Sequence, residues 1–291
     1  EGINYSLPYL SYLASHGSGD KAAAFRQQIQ SAMQAAAGGN AQVKDGYLYT
    51  TGAGLASLAL KTGSADASQS QLKEIIKGHS LLIFFKAMQP GVVMLSGQDL
   101  VGAMPLASPP NGDPASSCRG SYALTSSGSG LVVTNMGMPK APQLYAAPDA
   151  QAHQKESFLG QIGAFLHART QQGLGKASLV ARPQTKGKGS IALVSRLPDG
   201  KRYLLSVCNF SRESVTETIS LADVAGIGSA MSRATPIATG GSHSISGKTV
   251  TVSLGPWQGR ALVLGSGSAK GDADGKDDGG SGAGAVTPIP Q

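Results

Sequence analysis

The sequence predicts an α/β part over residues 1–174 followed by an all-β part over 175–265 that folds as a small antiparallel β-sandwich. Three observations predict it. As far as Arg169 the apolar residues recur mainly at helical spacing, with short apolar runs between the helices. From Ile191 onward the pattern changes to alternation and short runs, roughly ten residues apart and separated by turn residues. Beyond Ser266 the chain is Gly, Ser and Asp with almost no apolar content, so residues 266–291 are expected to form a flexible tail.

Within the first part, Tyr5–Ser15 and Lys21–Ala37 have helical spacing, and the second is an Ala/Gln-rich segment that stops at Gly38-Gly39-Asn40. Tyr47-Leu-Tyr-Thr-Thr reads as a short strand ending in Gly52-Ala53-Gly54. A helix is predicted from about Gln69 to Met88, stopped by Pro90-Gly91. Gly91 to Gly97 reads as a short apolar strand bounded by glycine, and the Pro-, Ser- and Gly-rich stretch 103–150 as mostly loop. Ser157–Thr170 returns to helix, with Phe158, Ile162, Phe165 and Leu166 on one face. Helix, strand, helix, strand, helix is the rhythm of βα units in a parallel sheet or barrel. Two parallel strands are not a stable sheet, so this part should need neighbours.

In the second part, Ile191–Arg196 and Arg202–Phe210 flank Leu197-Pro198-Asp199-Gly200, a hairpin signal. Val215–Leu221 and Val250–Leu254 alternate, and Arg260–Leu264 adds a last apolar run. Cys208 lies on one of these strands and reads as a small buried hydrophobe.

Composition removes several function classes. The chain has 24 Lys+Arg against 17 Asp+Glu, a net charge of +7. The cations are dispersed, and Lys186, Lys188, Arg196, Lys201 and Arg202 are broken by Gly and a turn, so no nucleic-acid partner is expected. The longest apolar run, Leu81–Phe85, is far short of the roughly 20 residues of a spanning helix, so no membrane partner is expected either. A soluble, cytoplasmic chain is the expectation.

Two cysteines, Cys118 and Cys208, are not a disulfide framework, and five histidines without ligand spacing offer no metal site. No cofactor is expected. His79 and His167 fall on predicted helices and read as surface or half-buried residues. Lys186-Gly187-Lys188-Gly189 lacks the phosphate-loop pattern and reads as a turn, while Gly52-Ala53-Gly54 is too short for a dinucleotide fingerprint. Ser96-Gly97 is not the serine-hydrolase elbow.

The order of the segments resembles the C-terminal part of the α-amylase family of glycoside hydrolases and glucosyltransferases (family 13), most of all its trehalose-synthase-like maltose glucosyltransferases. Asn4-Tyr-Ser-Leu-Pro-Tyr-Leu, continued by Asp20–Met33, is similar to the sixth barrel helix. Tyr47-Leu-Tyr-Thr-Thr-Gly-Ala-Gly falls at strand seven, and Phe84 through Gly102 resembles helix seven, strand eight and the Gly-x-acid turn after it. Met138 to Tyr145 and Glu156 to Arg169 resemble the approach to the last barrel helix. Leu197-Pro-Asp-Gly through Arg212, and Leu254-Gly-Pro-Trp-Gln-Gly-Arg, look like strands of the family's antiparallel domain C. The likeness implies a partial (β/α)₈ barrel, its last units only, over 1–174, with a long loop at 103–150, then domain C over 175–265.

A whole barrel takes about 250 residues, so the family's nucleophilic Asp and general-acid Glu, carried on strands four and five, would lie upstream of Glu1. The resemblance therefore implies retaining α-glucoside or α-glucan chemistry in a full-length enzyme, with maltose-like substrates bound together with the missing barrel half. This chain alone is expected to carry no catalytic residue and to be inactive. At strand seven the family has Asn-His-Asp, whereas Thr50-Thr51-Gly52-Ala53 stands here. That departure keeps open an alternative, a catalytically degenerate carbohydrate-binding or accessory module. Asp99, at the end of the last strand, with its neighbour Gln98 and with Thr51, are the candidate substrate-binding residues; for Asp99, capping of the following turn is an equal alternative.

Overall fold

The computed structural model describes residues 27, 31, 41–44, 47–60, 67–127, 131–132, 137–227, 231–239 and 242–266. The expected helices Tyr5–Ser15 and Lys21–Ala37 lie outside these residues, apart from Gln27 and Ser31, which are helical, and so does the expected tail beyond Ser266.

The described chain builds three layers. Helices α1 (Gly52–Leu60), α2 (Gln69–Ala87), α3 (Pro148–Gln151) and α4 (Phe158–Gln171) belong to the first part. Helix α2 starts where the sequence allows a reciprocal cap. Ser68 Oγ accepts from the Gln71 amide and Gln71 Oε1 accepts from the Ser68 amide. Helix α4 starts at Ser157, whose hydroxyl accepts from the Gly160 amide.

The second layer is a five-stranded antiparallel sheet of order β5-β6-β7-β12-β9, made of Ser178–Ala181, Ser190–Arg196, Tyr203–Asn209, Gln258–Ser266 and Met231–Ala238. The third is a three-stranded antiparallel sheet of order β10-β11-β8, His243–Ser246, Thr249–Leu254 and Val215–Ser220. β6 and β7 pair across the Pro198-Asp199-Gly200 turn, with Gly200 at φ 71°, as the sequence predicts.

β7 is buried along its whole length because the middle layer is covered on both faces. Tyr203, Leu205 and Val207 face Ile219, Val250 and Val252 inside the sandwich. Leu204 and Cys208 face the helices and pack with Phe84, Phe158 and Phe165. Burial pushes the Cys208 thiol far above its usual range, in keeping with an inert packing role.

Two expectations for the first part are corrected. Tyr47–Tyr49 (β2) is not a parallel barrel strand here; it pairs antiparallel with Gln42–Lys44 (β1), and Gly52 opens α1 at once. Gly91 to Gly97 is extended but pairs with no strand among the described residues. Its carbonyls find cations instead. Arg169 donates to the Gln89 and Gly91 carbonyls and Lys86 Nζ to that of Met94 at 2.6 Å. Val92 is 90% exposed and Met94 68%. Residues 103–150 are mostly irregular, as expected, apart from the short antiparallel pair β3 (Tyr122–Ala123) and β4 (Leu131–Val132), yet Ala103, Leu106, Met138 and Ala141 close a small core of their own with Val101.

The Lys186–Gly189 turn serves the sandwich. The Lys186 and Gly187 amides donate to the buried Glu217 carboxylate at 2.8 and 2.9 Å. Burial acts to raise this carboxyl's pKa, but the Ser190 hydroxyl, the two amides and the Lys186 charge outweigh it and hold it below its ordinary 4.5. Glu217→Gln should therefore cost about 1–3 kcal/mol at pH 7. Because the folded pKa is depressed, that stability is present above pH 4.5 and is lost as pH falls through the folded-state value. Urea midpoints of wild type and variant should thus converge on acidification; a constant gap down to pH 3 would contradict this.

Candidate functional site

α1, α2 and the turn after the extended segment converge on Asp99. The carboxylate opens a 3₁₀ turn (Asp99–Val101), and its Oδ2 accepts from the Ser96 amide at 3.1 Å. Its Oδ1 lies 3.5 Å from His79 Nε2, and His79 Nδ1 is 2.9 Å from the Tyr145 hydroxyl. His79 is fully buried, which overturns the expectation of a surface or half-buried histidine. His167, on the outer face of α4, is exposed. The ring of Phe158 closes over the group, with centroids 4.5 Å from His79 and 4.8 Å from Tyr145.

Burial, then the Asp99 charge, raises the Tyr145 phenol well above its ordinary value, so it stays protonated at neutral pH. A protonated phenol can donate to Nδ1, which leaves the Nε2 proton facing Asp99. The result is a buried Tyr–His–Asp line whose last contact, His79 Nε2 to Asp99 Oδ1, is close at 3.5 Å but is not a hydrogen bond. Its members come from α2, the 3₁₀ turn and the segment before α3, so no local sequence pattern could reveal it.

Of the three candidate substrate-binding residues, the structure brings two together. Thr51 caps α1: its Oγ1 accepts from the Gly54 amide at 3.1 Å and its carbonyl from the Leu55 amide at 2.8 Å. The next residue, Gly52, abuts the Asp99 group so closely that a Cβ there would lie 2.3 Å from His79 Nε2 and 3.0 Å from Asp99 Oδ1. Gln98 turns away, its Nε2 donating to the Gly120 carbonyl at 2.5 Å. All three are buried, each 7% exposed. The partners of Asp99 are a histidine and a backbone amide, not a second carboxylate of the kind retaining glycoside hydrolysis uses. Among the described residues no three His, Cys, Asp or Glu side chains gather as metal ligands, and no helix is long and apolar enough to cross a membrane.

No family model and no curated protein matches the chain. Solved structures that resemble it include amylases, isomaltulose synthases and a trehalulose synthase. AmyP bound to maltotriose has 16% identity and a TM-score of 0.45, with 69% of this chain and 37% of that one covered. The isomaltulose synthase of Klebsiella sp. LX3 has 12% identity and a TM-score of 0.46, with 65% and 38% covered. A trehalulose synthase mutant bound to Tris has 12% identity and a TM-score of 0.47, over the same shares of 65% and 38%. The chain thus spans well under half the length of each. With TM-scores below 0.5, the functional reading rests on this chain's own residues.

Proposed function

We propose that the chain contributes the closing barrel units and domain C of an α-glucoside- or α-glucan-acting enzyme of the α-amylase family, with the catalytic carboxylates on a barrel half outside it. The observation that carries this reading is the ordered succession of family-like segments along the chain, ending in a two-sheet sandwich that packs against α2 and α4. The exposed Val92 and Met94, on an extended segment without a strand partner among the described residues, support it as well; further barrel units would cover them. Asp99 and Thr51 would border the sugar, with His79 and Tyr145 positioning Asp99, and Gln98 would support the turn between them. Hydrolysis and glucosyl transfer both fit this role, and a maltose-like substrate is the natural probe of either.

A second reading, a degenerate carbohydrate-binding or accessory module, is favoured by one feature. Thr51-Gly52-Ala53 forms a helix start with no ionisable side chain at the place where the family carries Asn-His-Asp. Both readings predict no turnover by the isolated chain. Incubating the 291-residue protein with maltose and assaying for glucose and trehalose should show no release above the blank. Sustained release of either sugar would overturn the placement of the catalytic pair outside this chain.

A further inference from the structure

A cleft of about 640 Å³ lies between α2, α4 and the Gly255–Gln258 segment that joins β11 to β12. A smaller one of about 320 Å³ shares Lys77, Pro256 and Trp257 as walls. Three observations gather here. Among the described residues, the non-glycine residues with positive φ are Thr239 (66°) and Trp257 (53°), and both line the larger cleft. A bulky side chain in the left-handed region is a strained conformation, and such strain collects at ligand sites. Surrounding bonds enforce it: the Trp257 amide donates to the Ser211 carbonyl at 3.2 Å, and the Thr239 hydroxyl donates to the Gly259 carbonyl.

Two walls of the cleft also hold unmet polar groups. Among the described residues, the Ser80 hydroxyl, on a residue only 5% exposed, and the Trp257 indole nitrogen are buried without a hydrogen-bond partner. A helical serine ordinarily satisfies itself on the carbonyl four residues back, and Ser80 does not. Around them stand the Gln161 amide, Lys155 and Glu156, so the lining offers donors, acceptors and both signs of charge beside the aromatic faces of Trp257 and Phe165. Lys77, Lys155 and Glu156 in the lining mix both signs of charge and do not form a cation cluster that selects an anion.

From this combination we infer that the cleft is a binding site for a neutral oligosaccharide, separate from Asp99, with Trp257 as the stacking platform and Ser80 as a hydroxyl partner. The choice of an α-glucan as first ligand rests on the functional reading above; the site itself does not. Trp257 is the single tryptophan of the chain, so its emission reports the site directly. The full chain is titrated with maltoheptaose and, separately, with cellohexaose. A saturable change in emission with maltoheptaose is expected, with a midpoint in the millimolar range or below. A change with cellohexaose alone upholds the site and counts against the α-glucan reading. No saturable change with either sugar overturns the site.

By calorimetry, Ser80→Val should weaken binding about fivefold, the loss of one hydrogen bond. Trp257→Gly, which suits the left-handed backbone, should abolish it, and Lys201→Ala in the distant β6–β7 turn should leave it unchanged. Undiminished affinity in Trp257→Gly overturns the proposal. Should that variant fail to fold, undiminished affinity in Ser80→Val does the same.

Discussion

Arg169→Ala should destabilise the protein by about 3 kcal/mol, because one guanidinium serves the final carbonyl of a helix and two carbonyls of the exit that follows it. Arg169 sits in the last turn of α4, is 8% exposed, and donates to the carbonyl of Ala87 at 2.7 Å and to those of Gln89 at 2.5 Å and Gly91. These are the final residue of α2 and the two-step exit that Pro90-Gly91 imposes, with Gly91 at φ 92°. Burial lowers the guanidinium pKa somewhat, yet an arginine remains charged at any working pH. Its fork therefore supplies charge-assisted bonds to carbonyls that a helix C-terminus leaves unpaired. Removing it strands those oxygens and frees the segment that leads to Asp99. Arg169→Lys should recover only part of the loss, since a point ammonium cannot span three acceptors. Denaturant titration decides the matter: a cost below about 1 kcal/mol for the alanine variant would mean that solvent serves these carbonyls as well as Arg169 does.

Gly259→Ala should be of comparable size, at about 3 kcal/mol, through overpacking. Gly259 lies on β12 opposite Cys208 of β7, on the face that meets α2. A Cβ there would stand 2.3 Å from both Cδ1 and Cε1 of Phe84 and 3.1 Å from Leu81 Cδ1. Phe84 is 1% exposed and set edge-on against Phe165 at 5.3 Å between centroids, so it gives way only at the expense of that packing. One methyl group thus pushes the helix layer off the middle sheet. Such a cost corresponds to a fall in Tm of roughly 6–12 °C for a chain of this size. The double variant Gly259→Ala with Phe84→Leu, which makes room at the contact, should be more stable than the sum of the single costs predicts. Simple additivity would argue that the two residues do not press on each other.

Where local chemistry is self-sufficient, the fold is legible in the sequence. The Ser68 and Ser157 caps, the Pro90-Gly91 stop and the Pro198-Asp199-Gly200 hairpin each carry their structure in a few adjacent residues. The unbroken run Tyr203–Cys208 even reports a strand covered on both faces. What could not be read depends on distant partners. Met231–Ala238 and His243–Ser246 pair into the two sheets although Ser, Arg, Thr and Pro236 dilute their apolar pattern. His79 looks like any polar residue on a half-polar helix, because the groups that bury it, Asp99 and Tyr145, arrive from other segments. The run from Gly91 to Gly97 has strand composition, but a strand is defined by a neighbour, and among the described residues it has none.

The same dependence frames the functional account, in which Asp99 and Thr51 border a sugar whose cleavage is performed elsewhere. The most direct test is to map the 5′ end of the transcript and read the frame upstream of Glu1. An open frame of barrel length is expected there, with one strand carrying Arg-x-Asp and a later one carrying Glu, the acid pair missing around Asp99. A start codon within a few dozen residues of Glu1 would contradict it.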